Sequence, residues 1–198
     1  WVKQDDTSGF DVFVGKYGGS SSGEFIVGKN GNTPTFYWQD DNGNANINAT
    51  NFTGNINEWY HMACVREGNA FTMYINGVCE NSTTDSTALE TTNNNLTIGI
   101  ETDVASSPFD GYLQDVRIYK GVAKYSGTLI GTQCFVPPST NPDILQDTPS
   151  GVSVKPKLTK IIDGAVAFGA SSSDSLIVSS SSDFAMGTGD FTLEAYVY

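Results

Sequence analysis

The side chains best equipped for chemistry are few and widely spaced in this chain. Its one histidine, His61, sits in the run Trp59-Tyr60-His61-Met62-Ala63-Cys64. A Ser-His-Asp relay would need a nucleophile and an orienting acid, which the spacing does not supply. His61 therefore reads as a half-buried strand residue. Cys64, Cys79 and Cys134 are odd in number and contain no Cys-x-x-Cys pair, so neither a disulfide framework nor a zinc site is expected. Glycosidic hydrolysis needs two carboxylates about 5 to 10 Å apart, which on a strand means acids at i and i+2 or i+4. Asp40-Asp41 falls in a turn, and Asp115 and Glu194 stand alone. What remains is binding chemistry. Tyr37, Trp38, Tyr60 and Tyr74 offer flat faces to the C–H groups of sugars, and the Asn-rich segments offer directional hydrogen bonds. Trp38 and Trp59 also suit a core, and Trp59 is read that way.

The elements that must position these rings are strands. Asp plus Glu total 22 against 10 Lys plus Arg, a net charge of −12, so nucleic acid and anionic membrane surfaces are excluded as expected partners. Only 16% of residues are charged, too few for intrinsic disorder, and 21 are glycine. Apolar residues recur with period two in Phe10–Val14, Glu24–Gly28, Thr35–Gln39 and Ala70–Ile75. Trp59 to Arg66 is almost continuously apolar, as in a central strand covered on both faces. Glu67-Gly68-Asn69 and Asn76-Gly77 are hairpin turns, so three antiparallel strands are specified locally. Leu96–Ile100 follows. In Gly111–Tyr119 the set Tyr112, Gln114, Val116 and Ile118 is expected to face the core.

Residues 139–163 carry Pro142, Pro149 and Pro156 without a period and read as a linker. Beyond it, Ala165–Phe168, Ser175–Val178 and Asp190–Tyr198 are strand-like again, and the chain stops in mid-strand. It also starts without Met, as would a piece cut or processed from something longer.

Four motifs in order, W-Y-H-M-A-C-V-R-E-G-N-A-F-T-M-Y-I-N-G, L-T-I-G, F-D-G-Y-L-Q-D-V-R-I-Y and F-V-P-P-S, resemble laminin-G-like domains of the concanavalin A-like lectin/glucanase superfamily. The resemblance implies an all-β fold, an antiparallel jelly-roll β-sandwich. In that reading residues 1–138 are a sandwich lacking its first strands. The tail motifs G-A-V-A-F, D-S-L-I-V and G-T-G-D-F-T-L-E-A-Y-V-Y resemble the opening strands of such a domain, so 164–198 begins a following or permuted sandwich. Matching Tyr196-Val197 to Trp1-Val2 sets a spacing of 195 residues, 196 − 1. The tail is then expected to pair within a sheet, in cis or on a neighbouring copy.

The same resemblance shapes the functional expectation. Glucanases of the superfamily carry a Glu-x-Asp-x-Glu-like strand that this chain lacks, so a non-catalytic module is expected. Family members hold Ca²⁺ in loops at the sandwich rim, and Asp103 and Asp110 are the residues here that could contribute oxygens. No other cofactor is implied. The repeat-like wording resembles large virion proteins of marine bacteriophages. The expected role is therefore a structural or adhesive repeat on a virion surface or elsewhere outside the cell, binding glycans or a host surface. A calcium-assisted lectin and a glycoside hydrolase are the alternatives. Sequons at Asn48, Asn51, Asn81 and Asn95 would matter only in a eukaryotic secretory route.

Overall fold

Two tight turns organise the centre of the chain. Asn76 and Gly77 take φ of 52° and 80°, the left-handed pair that a type I′ hairpin needs. They join β8 (Ala70–Ile75) to β9 (Val78–Thr84), while Gly68, at φ 58°, joins β7 (Met62–Glu67) to β8. Glu67 lies opposite Ala70 and Ile75 opposite Val78, so the stretch doubles back as its pattern requires. The computed structural model describes residues 1–18, 23–101, 106–137, 166–169 and 175–195. The residues read as a linker, 139–163, lie outside the described residues.

Around this hairpin pair the remaining strands form three antiparallel sheets. One has six strands, in the order β14 (Leu176–Val178), β10 (Leu96–Ile98), β2 (Phe10–Tyr17), β3 (Gly23–Asn30), β4 (Thr33–Asp40) and β5 (Gly43–Asn48). A second has β12 (Arg117–Lys120), β15 (Phe191–Ala195), β7, β8 and β9. The third has β13 (Val166–Gly169), β11 (Asp110–Leu113), β1 (Val2–Gln4) and β6 (Trp59–Tyr60). Only His61 separates β6 from β7, so the second and third sheets are successive lengths of one layer. That layer packs on the six-stranded sheet as a β-sandwich, the architecture expected from the sequence.

Strand alternation supplies the core. Phe25 and Val27, with Phe36 and Trp38, face inward from the six-stranded sheet. They meet Tyr60, Met62, Cys64, Phe71 and Met73 together with Phe191 and Leu193 from the tail. The expected pairing of the tail holds for Phe191–Ala195, which inserts between β12 and β7. β13 pairs with β11 and β14 with β10, so the described tail strands enter the same sheets as residues 1–137. Residues 196–198 lie outside the described residues.

Two expectations change on contact with the structure. In β11 it is Leu113, 4% exposed, that faces inward, and the phase shifts before Val116 and Ile118 pack on the core. The break is Asp115, held at φ 55° with its carboxylate gripped by Arg117 Nε (2.8 Å) and Nη2 (2.6 Å). An acidic residue tolerates that backbone better than its apolar neighbours would. Trp59, read as core, is only partly buried at the margin, with Lys3 Nζ 5.5 Å above its ring and Tyr112 edge-on to it.

Candidate functional site

Burial sorts the proposed sugar-stacking rings. Trp38 is 1% exposed on the inward face of β4, stacked on Phe71 at 4.3 Å, and its Nε1 donates to Asp85 Oδ2 at 3.2 Å. Tyr60, also 1% exposed, packs on Phe52 and donates to Gln4 Oε1 at 3.3 Å. Tyr74, again 1% exposed, donates to the Gly127 carbonyl at 2.8 Å beneath the segment 121–137. A ring with protein on both faces has none left for a sugar, which corrects the reading of Trp38, Tyr60 and Tyr74 as a platform. Periodicity shows which residues share a face, but not which face is later covered.

Tyr37 is different. It points outward from β4 and stays partly exposed, because Phe36 and Trp38 take the inward positions. Its ring meets Tyr17 edge-to-face at 5.4 Å, with the two hydroxyls 3.2 Å apart. Across the strand pair lies Asn46, flanked on β5 by Asn44 and Asn48, and all three amides are exposed. They face out because Ala45 and Ile47 on the same strand pack on the core. Asn46 Nδ2 donates to Asn48 Oδ1 at 3.3 Å, and the Thr35 hydroxyl donates to the same oxygen at 2.9 Å. A partly exposed aromatic beside a ladder of amides suits a polyhydroxylated ligand, with C–H groups on the ring and hydroxyls on the amides.

The carboxylates are engaged elsewhere. Glu24 pairs with Lys16 in a buried contact, and Glu80 Oε2 accepts from the Asn51 and Phe52 amides at 2.8 and 2.9 Å. Asp40 accepts from the Asn42 amide and Asp85 from the Thr87 amide, so both brace loops. Burial and a hydrogen bond shared with Asp85 push the Asp40 carboxyl up. Burial also acts upward on Asp85, but the hydrogen bonds it accepts outweigh that and hold it down at about 2.

One buried polar cluster was not legible in the sequence. Glu194 Oε1 receives His61 Nε2 at 2.6 Å and the Tyr125 hydroxyl at 2.7 Å, and Lys124 Nζ lies 3.4 Å from Oε2. Both His61 and Glu194 have fully buried side chains. Burial pushes the Glu194 carboxyl up, but His61, Lys124 and Tyr125 outweigh it and hold it at about 2. Burial also lowers His61, against the upward pull of its hydrogen bond to Glu194. Nothing in the sequence links residues 133 apart. The one hint was an acidic residue on the face of the tail strand opposite Phe191 and Leu193.

Two residues were named for calcium, Asp103 and Asp110. Asp103 lies outside the described residues. Asp110 is partly buried, its carboxyl pushed up by burial and by Asp5 and Asp6. In this acidic corner Lys29 Nζ sits 2.7 Å from Asp6 and 2.8 Å from Asp11. Among the described residues no group of three or more His, Cys, Asp or Glu could hold a metal ion. The three cysteines are free, and no helix among the described residues is long and apolar enough to cross a membrane.

A family model described as the concanavalin A-like lectin/glucanases superfamily, of laminin-G type, matches residues 1–124. The chain belongs to this superfamily. The match covers β1 to β12 and stops short of the tail strands, which pair with β7, β10, β11 and β12. Neither the curated proteins nor the solved structures include a significant match to this chain. The superfamily name spans lectins and glucanases, so the chemistry of this member rests on its own side chains.

Proposed function

We propose that this laminin-G-type sandwich is a non-catalytic, adhesive β-sandwich repeat that binds glycans on the outer face of its six-stranded sheet. The observation that carries the reading is the exposed strip of Tyr37 with Asn44, Asn46 and Asn48. It is the place where the ring expected to stack a sugar keeps an accessible surface and has amides beside it. The absence of catalysis is supported by the buried carboxylates, each of which is bonded to a lysine, to backbone amides or to the His61 cluster. The setting proposed is an appendage or surface fibre of a virion, supported by the repeat-like wording of the motifs.

A glycan array with the wild-type chain, followed by affinity electrophoresis on the sugars retained, tests the reading. Tyr37→Ala and Asn46→Ala should each weaken retention about tenfold while the fold persists, in keeping with the loss of a central aromatic or hydrogen-bonding contact. Unchanged affinity in both variants, or no retained sugar at all, would overturn it.

A further inference from the structure

β15 and β1 are the two halves of one strand. Both lie against the continuous β6–β7 strand, Val2 opposite Tyr60 and Ala195 opposite Met62. A single place remains between them, opposite His61. Paired residue numbers add to 62 between β1 and β6 and to 257 between β15 and β7, so the two registers are offset by 195 residues, 257 − 62. Trp1 fills the place in the structure: its nitrogen donates to Gln114 O at 3.2 Å, and the Gln114 amide donates back to Trp1 O at 3.4 Å. Facing is continuous as well, since Phe191, Leu193 and Val2 all point into the core.

The tail strands bond to the rest of the sandwich and, among the described residues, not to one another. β13 uses the edge of β11, β14 the edge of β10, and β15 the slot between β7 and β12. The slot also carries a polar key. His61, Lys124 and Tyr125 converge on one register position and are met there by Glu194. A slip of one residue would turn that carboxylate into the core and leave the cluster unmatched. The slot thus selects a strand that alternates Phe191, Leu193 and Ala195 with an acid at one place.

We propose that this slot is a strand-acceptor site whose partner is a second copy of this chain. The tail of one copy fills the slot of the next, its β15 running into that copy's β1, and copies join head to tail. The contacts are the same whichever copy supplies the tail, so effective concentration decides between closing on itself and linking outward. The proposal does not rest on the glycan reading.

Cys64 lies opposite Leu193 in the paired strands, and directly opposed Cα atoms about 4.5 to 5.5 Å apart fall within disulfide range. The test is the full chain with Leu193→Cys in a Cys79→Ala, Cys134→Ala background, refolded in a glutathione redox mixture at high and low protein concentration. Circular dichroism checks the sheets, and non-reducing electrophoresis reads the product. Covalent dimers and longer ladders should dominate at high concentration and give way to closed monomer on dilution. Closed monomer at every concentration would overturn exchange between copies. A folded chain with no cross-link would overturn the slot itself. If Leu193→Cys spoils the core, the outward pair Thr192→Cys with Val65→Cys, in a chain also carrying Cys64→Ala, asks the same question, since those residues too are opposite.

Discussion

The two outward faces of the sandwich have opposite fates. Over β7 and β8, the segment 121–137 lays Tyr125 and Phe135 against Tyr74, Ala63 and Val65, and the polar groups beneath it close on one another through Glu194. Over β4 and β5 the Asn ladder and the Tyr37 ring stay in contact with solvent. Both faces carry aromatic and polar residues in alternation, so composition does not tell them apart. A covered polar group must find partners within the protein, and once it does it serves the fold. An uncovered one is left to meet a ligand.

The strongest way to break this contrast is Trp38→Ala. A stacked core indole should cost about 3 to 5 kcal/mol of stability in urea denaturation, and loss of sugar retention without loss of stability would put Trp38 back on a binding face. Glu194→Ala, on the covered face, should cost about 3 kcal/mol, because it strands the buried His61 donor. A change within 0.5 kcal/mol of zero, the range expected of surface substitutions, would show that the cluster does not hold the tail.

The pH dependence sharpens the same point. Both His61 and Glu194 titrate lower in the fold than in the open chain, so the unfolded state binds more protons as the medium acidifies. Stability should fall as pH drops below the ordinary histidine value of 6.5, then further between the ordinary glutamate value of 4.5 and about 2. Urea midpoints across that range read it, and a flat profile that persists in Glu194→Gln would count against the ionised carboxylate. The smallest effect on stability belongs to Tyr37→Ala, about 1 kcal/mol from the lost edge-to-face contact, alongside its weakened sugar retention. Retention should also survive EDTA, since Tyr37 and the Asn ladder contact a sugar without a metal; abolition by EDTA would favour a calcium-assisted lectin.

What the chain wrote locally was legible without coordinates. Period-two runs, Asn76-Gly77 and Gly68 specify the central hairpins through contacts between near neighbours, and the tail strands announce themselves by the same alternation. The tertiary structure alone decided which faces are covered. Trp38, Tyr60 and Tyr74 alternate as a binding surface would, yet a second layer or a returning segment lies over each. The alignment of β15 with β1 was legible too, since the 195-residue spacing read from the tail motifs is the offset the two registers keep. Only the tertiary structure decided that Glu194 meets His61, 133 positions away, where strand order and register set the neighbours and sequence spacing carries no trace of the contact.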